Sequence, residues 1–262
     1  MFKLFYVLGL FICSSCFISS NLSDIPDKIK VNRNVYFDTL YLPKIDSTQA
    51  LVKHYAYCLL YDEYYEQAKW VFYSLNKNKI NGSFSRSDKF KKDTLINTGS
   101  ASHSDYKGSG YDRGHLAPAA DMAWSKQAMD ESFFYSNMSP QTPSFNRGVW
   151  RKLESRIRKW VVDYDSLYIT TGPILDSNLT SIGNELAVPD YFFKSIIGFK
   201  DSTVNAIAFI LPNEGSKKNL EDFVVSIDSL ETFSGLNFNA GIENTVQDSL
   251  EKSIQLNYWN FD

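Results

Sequence analysis

Residues 111 to 122 read YDRGHLAPAADM, with Arg113 and His115 flanking a glycine. A histidine can take a proton from water near neutral pH, and an arginine fork can hold the non-bridging oxygens of a phosphate. That pair suits phosphodiester hydrolysis. A lone histidine after a glycine more often serves packing, so the pair needs further residues beside it. The preceding KGSGYDRG, with Gly108 and Gly110, lacks the GxGxxG order, which excludes a dinucleotide or P-loop cradle. Three polar residues downstream complete the candidate set: Asn137 in YSNMSPQ, Asn146 in FNRGVW, and Glu154 in a basic stretch. Each also has a structural alternative. Asn146 suits a helix N-cap, Glu154 could pair with Arg151 or Arg158, and Asn137 could satisfy a turn. Asp112 reads as structural, orienting a neighbouring arginine.

The elements that must hold these residues are written in periodicity. Phe145 to Tyr164 places apolar residues at 149, 150, 153, 157, 160, 161 and 164, close to a 3.6-residue repeat, which predicts a helix. Trp150 and Trp160 fall on its apolar side and read as core. Shorter helices are expected at Ser125 to Phe134 and at Ser226 to Phe233, the latter stopped by Gly235. His54 to Leu75 is aromatic and β-rich and predicts a strand pair around Glu63. Runs starting at Ser166, Tyr191 and Thr203 predict three more strands of a largely antiparallel sheet.

Residues 1–20 carry one lysine, an apolar run of about ten residues and then small polar ones, the layout of a secretory signal. Export follows, to a periplasmic, extracellular or lipid-anchored location. Cys16 after Ser14 and Ser15 resembles a lipoprotein cysteine, and lipidation stands beside simple cleavage as an open alternative. Residues 21–50 read as a polar tether, and 51–262 as one domain. Cys13 and Cys16 lie in the leader, so Cys58 has no internal disulfide partner. The chain has a net charge of −3, yet residues 76–160 hold 15 Lys+Arg against 8 Asp+Glu. The basic half is where the motifs fall.

Taken together, DRGH, YSNMSPQ from Tyr135, FNRGVW from Phe145, Leu153–Glu154, RSDKFKKD from Arg86 and SIDSLETFSGLNF from Ser226 resemble the DNA/RNA non-specific endonucleases. The likeness runs from about residue 55 to about 240. It implies an α+β fold of the ββα-metal type, with a hairpin and helix cradling one ion against a larger antiparallel sheet. It also implies roles: His115 as general base, Asn146 as direct Mg²⁺ ligand, Glu154 as a carboxylate reaching the ion through water, Asn137 as an arranger of the site, and Arg113 and Arg86 facing the phosphate. Mn²⁺ would substitute for Mg²⁺, the substrates would be DNA and RNA held through phosphates, and dimerisation is common in the family. On a regular helix Asn146 and Glu154 lie about 80° apart and roughly 12 Å along the axis, so bridging by water is favoured over joint ligation. Mg²⁺ keeps several waters, so one amide carbonyl with a more distant carboxylate is a sufficient site. The expected products carry 5′-phosphates, and an unperturbed His115 would lose activity below about pH 6.5.

Two other classes are weighed against this. A nucleic-acid-binding protein that kept the scaffold but lost catalysis is disfavoured by the intact His115 and Asn146. A zinc hydrolase would have to draw on His54, His103 and His115, without HExxH or paired cysteines.

Overall fold

The computed structural model describes residues 38–201 and 203–262. The expected signal, residues 1–20, lies outside them, as does most of the 21–50 tether. The last part of that tether is pinned to the body. Leu42 is buried, Lys44 N–H donates to the Asn237 carbonyl, and Ala240 N–H donates to the Leu42 carbonyl.

Seven strands form one antiparallel sheet in the order β1-β2-β3-β6-β9-β10-β11. Their ranges are β1 Leu51–Lys53, β2 Tyr57–Asp62, β3 Gln67–Leu75, β6 Ser166–Pro173, β9 Tyr191–Lys200, β10 Thr203–Pro212 and β11 Val224–Val225. The strand pair read around Glu63 is β2–β3, and the three later runs are β6, β9 and β10. Strand residues alternate between two cores because successive side chains point to opposite faces. Tyr57, Leu59, Val71 and Tyr73 join one cluster, while Cys58, Leu60, Trp70 and Phe72 join the other. Covering the first face is the long helix, which buries Leu153, Ile157 and Trp160. Covering the second is a helix at Ile227–Ser234, with Ile227 and Leu230 buried.

Six helical segments complete the frame: α1 His103–Tyr106, α2 Lys126–Glu131, α3 Pro143–Phe145, α4 Arg151–Trp160, α5 Ile227–Ser234 and α6 Asn244–Glu251. None of the described helices is long and apolar enough to cross a membrane. Serine caps start α2 and α5, and Gly235 ends α5 in the left-handed conformation at φ 70°. A second pair of strands, β4 Asp112–His115 and β5 Met138–Gln141, runs antiparallel with Gly114 opposite Ser139 and His115 opposite Met138. A small hairpin, β7 Thr180–Ile182 with β8 Leu186–Val188, lies outside the main sheet.

The helix predicted from Phe145 to Tyr164 differs from the observed one at its start. Thr142 caps α3, its hydroxyl accepting from Phe145 N–H at 3.3 Å, so Asn146 is not the N-cap. Asn146–Trp150 then forms a π-turn with non-helical backbone at Gly148, φ −104° and ψ −112°, before regular α4 begins. A π-turn inserts an extra residue and re-aims the side chains on either side of it. The spacing worked out above for Asn146 and Glu154 assumed a regular helix and does not hold across it.

Candidate active site

The hairpin β4–β5 delivers its motif to the mouth of a cleft of about 520 Å³, whose walls include His115, Arg113, Asn146 and Glu154. His115 ends β4 and is 8% exposed. Its ring meets Phe133 edge-on at 4.8 Å between centroids and lies 6.0 Å from Phe90. Burial in this aromatic box, with Arg86 and Arg113 nearby, pushes its pKa down to about 3. The imidazole is therefore neutral at pH 7. This corrects the titration near 6.5 expected of an unperturbed ring. Nε2 is buried without a hydrogen-bond partner among the described residues, a state that costs free energy until a polar group meets it.

Two arginines stand over aromatic faces. The Arg113 guanidinium carbon lies 3.9 Å from the Phe90 ring centre and that of Arg86 4.9 Å from Phe133. Stacking of this kind leaves the in-plane N–H donors free to turn into the cleft. Arg86 also donates to Asp88 at 2.6 Å. The loop bearing Arg86 is anchored at both ends. Phe84 N–H donates to the Ala123 carbonyl, and Lys91 N–H to that of Phe133. Gly82 lies so close to Ala123 that a Cβ would come within 2.0 Å of its backbone carbon. Arg151 and Arg158, one turn on either side of Glu154, also line the cleft, and Arg151 adds positive charge there while that of Arg158 is matched by Asp121.

Asn146 donates its Nδ2–H to Asp112 Oδ2 at 2.9 Å. Asp112 also accepts from Arg147 Nε at 2.8 Å and from its terminal nitrogen at 2.5 Å. The structural reading of Asp112 thus holds for Arg147, and it extends to Asn146. With the amide nitrogen engaged, the carbonyl oxygen of Asn146 is the group left to accept or ligate.

Among the described residues Glu154 forms an ion pair with neither Arg151 nor Arg158, the alternatives suggested by helical spacing. Arg158 donates instead to Asp121 at 2.8 Å, and Asp121, almost fully buried, also accepts from the Tyr73 hydroxyl at 3.0 Å. Burial pushes the Glu154 carboxyl upward against the pull of Lys194 and Arg158, with Asp121 reinforcing the rise. Lys194, on β9, is fully buried beneath this helix and is pushed downward by desolvation. An amide carbonyl and a carboxylate are hard oxygen donors, the set that Mg²⁺ and Mn²⁺ accept.

Asn137 does not reach the cleft wall. It is 0% exposed, and its amide is spent on backbone. Oδ1 accepts from Ala117 N–H at 2.9 Å, and Nδ2 donates to the carbonyls of Ala117 at 2.9 Å and Ser132 at 2.8 Å. Its own carbonyl accepts from Leu116 N–H at 3.0 Å. These bonds hold the turn immediately after His115.

The histidines of the zinc alternative are not assembled. His54 is buried and bonded to Asp93 at 2.8 Å, and His103 is exposed on α1. Among the described residues, the cluster that could bring three metal-binding side chains together is Asp228, Glu231 and Glu251 at α5 and α6, with no histidine. Sequence reading had treated Arg151 and Arg158 only as partners for Glu154, and had missed Asp88, Phe90, Asp121 and Lys194. The arginines sit at i−3 and i+4 from Glu154, a spacing that could have placed them on its side of the helix.

A hairpin followed by a helix, set on an antiparallel sheet, is the ββα-metal nuclease arrangement. The family model described as DNA/RNA non-specific endonuclease matches residues 41–245. Human mitochondrial endonuclease G is 35% identical over 199 residues, covering 70% of this chain and 67% of its own. A nuclease of Nostoc sp. strain PCC 7120 is 33% identical over 211 residues, 76% of each chain. A crystal structure of an EndoG/EndoGI complex, described as showing the mechanism of EndoG inhibition, superposes with a TM-score of 0.71. It does so at 31% identity, covering 77% of this chain and 89% of that one. The chain belongs to the DNA/RNA non-specific endonuclease family, metal-dependent enzymes that hydrolyse nucleic acids.

Proposed function

We propose that the protein is an Mg²⁺-dependent endonuclease that cuts DNA and RNA with little sequence preference and leaves 5′-phosphates. The observation that carries this is the pairing of a neutral His115, whose Nε2 has no hydrogen-bond partner among the described residues, with Asn146, whose amide nitrogen is held by Asp112 so that its carbonyl oxygen is the group left to ligate, in one cleft lined with arginines.

His115, uncharged at neutral pH, takes the proton of the attacking water. Arg113 and Arg86 hold the non-bridging oxygens of the scissile phosphate and offset the charge that builds up on them. Asn146 and, through water, Glu154 are the residues that would hold Mg²⁺. When bound, the ion supplies charge neutralisation at the phosphate and the leaving 3′-oxygen. Asn137 touches no reacting atom in this scheme and acts by fixing the backbone behind His115. Exposed Lys89, Lys91 and Lys92, in the segment after Arg86, extend the positive surface for phosphate contacts that carry no sequence information.

Plasmid DNA and a structured RNA, incubated with Mg²⁺, with Mn²⁺ and with EDTA, test the reading. Both substrates should be cut, with EDTA abolishing the reaction and the ends accepting ligation as 5′-phosphates. Discrete bands from a few sequences, or cutting in EDTA, would defeat it. Asn146→Ala should lose more activity than Glu154→Gln, and added Mg²⁺ should restore part of the second loss. Losses from a residue that acts on the ion through an intermediary run about 10 to 100-fold. Export is part of the proposal and rests on the signal pattern of residues 1–20. Mass spectrometry of the mature N-terminus distinguishes simple cleavage from lipidation at Cys16. Light scattering on the purified enzyme reads the homodimer implied by the family.

A further inference from the structure

We infer that Lys194 is a positioning residue for the nuclease reaction, a buried brace that fixes the turn carrying His115 against the helix carrying Asn146 and Glu154. The inference rests on the roles proposed above for those three residues. A lysine 0% exposed in the middle of a strand is unusual, because the ammonium must give up its hydration. Here it does so without a carboxylate in direct ion-pair contact among the described residues. Its Nζ donates to the Thr171 hydroxyl at 3.1 Å on neighbouring β6 and reaches the Leu116 carbonyl at 3.5 Å. It also stands over the Trp150 ring at 4.3 Å from its centre.

Those three contacts belong to three separate parts of the site. Leu116 directly follows the proposed base. Trp150 closes the π-turn that starts at Asn146, and Glu154 lies four residues further along the continuing helix, on the same side of it. Thr171, whose hydroxyl also donates to the Phe193 carbonyl at 3.0 Å, ties the ammonium to the sheet. The ammonium links the turn after His115 and the start of the helix to the sheet. A hydrophobic residue could fill the same volume but could not hold the Leu116 carbonyl. Around the ammonium, Glu154, Asp121 and Arg158 are the charged groups close enough to act on it.

Lys194→Met keeps the stem and removes the ammonium. In this variant kcat on plasmid DNA should fall about 10 to 100-fold while KM stays within about threefold, because orientation rather than binding is lost. A second readout needs neither metal nor substrate. The protein has three histidines, so the ring ¹³Cε1–¹H signals of His54, His103 and His115 are resolvable and assignable by single substitution. The His115 signal should shift or broaden in Lys194→Met while that of His54, bonded to Asp93, stays in place. Thr171→Val, a milder change, should give the same selective shift with a smaller kcat loss, and decides the matter if Lys194→Met does not fold. Wild-type kcat with an unmoved His115 signal overturns the brace. So does a change in which all three histidine signals move together, since that reports general loosening. If the wild-type enzyme itself fails to cut DNA with Mg²⁺, the proposed function fails. If it cuts and Lys194→Met cuts equally well, only the brace fails.

Discussion

Replacing Asn137 by alanine separates a role in chemistry from a role in architecture. The side chain supplies partners to three buried backbone groups, the Ala117 N–H, the Ala117 carbonyl and the Ser132 carbonyl. Leaving a buried polar group unpaired costs about 1 to 3 kcal/mol, so three at the lower bound cost about 3 kcal/mol. For a domain of this size 1 kcal/mol moves Tm by about 2 to 4 °C, which gives a fall of about 6 to 12 °C. Asn137→Asp should be no better, because it turns an acceptor toward two carbonyl oxygens. The same loss frees the turn behind His115, and a misplacement of about 1 Å in a catalytic group can cost about 10²-fold in rate. Thermal unfolding by circular dichroism and nicking rate, measured on one preparation well below the new Tm, should therefore fall together. A variant that unfolds within about 2 °C of wild type yet has lost its kcat would refute the reasoning. In that case Asn137 would have to meet substrate or ion directly.

Asp112→Ala should lower kcat and raise the Mg²⁺ concentration for half-maximal rate by about 10-fold or more, while Arg147→Ala, which leaves the Asn146–Asp112 bond in place, should do little; equal effects would mean that Asp112 acts through Arg147 instead. Because the His115 pKa is depressed, the neutral base persists to lower pH, and at saturating metal, where Glu154 is held ionised, kcat/KM should stay flat through pH 6.5 rather than fall there. A limb near neutrality that moves with metal concentration would belong to Glu154, and one near 6.5 indifferent to metal would contradict the depressed His115. Trp259, buried and stacked on Tyr164 at 4.8 Å, lies beyond the family match and straps the end of α4. Trp259→Ala should lower Tm by about 6 to 20 °C, from about 3 to 5 kcal/mol, with rate at 25 °C little changed; calorimetry and nicking check it.

The sequence is most readable where one physical rule acts alone. The 3.6-residue repeat from Val149 to Trp160 marked α4 because its apolar side packs on the sheet. The strand runs at Ser166, Tyr191 and Thr203 were equally clear, because that sheet is buried on both faces. Rules in competition were harder. The predicted helix ran on through Gly148, yet the backbone departs there from helical angles, and the true cap, Thr142, lay four residues ahead of the residue that looked like one. His115 was found from its motif, but its depressed pKa comes from burial and from Arg86 and Arg113, and part of that burial is supplied by Phe133 and Phe90, distant in sequence. Lys194 stood as the one charged residue of the FFKSIIGF run and gave no sign of what it would touch, since its partners come from residues 116, 150 and 171.

A net charge of −3 on an enzyme for polyanions makes physical sense once charge is placed along the chain. Residues 76–160 carry 15 cations against 8 anions, so the remainder is correspondingly acidic. At physiological ionic strength the Debye length is about 8 Å, so acidic groups farther than that from a bound phosphate are screened while Arg86, Arg113 and Arg151 act at contact. The buried carboxylate of Asp121, beneath the cleft, is neutralised on the spot by Arg158 and so does not repel a phosphate. Lowering the salt lengthens the range of the acidic groups as well as of the basic ones, so long-range steering gains less than it would in a uniformly basic protein. Contacts at the cleft still release counterions from the nucleic acid, so affinity still falls as salt rises. The salt slope of KM then counts the phosphates bound in the cleft, and the salt slope of association rate reads the field of the whole molecule. In this protein the first should be the steeper, and charge reversal at Lys89, Lys91 and Lys92 should flatten it.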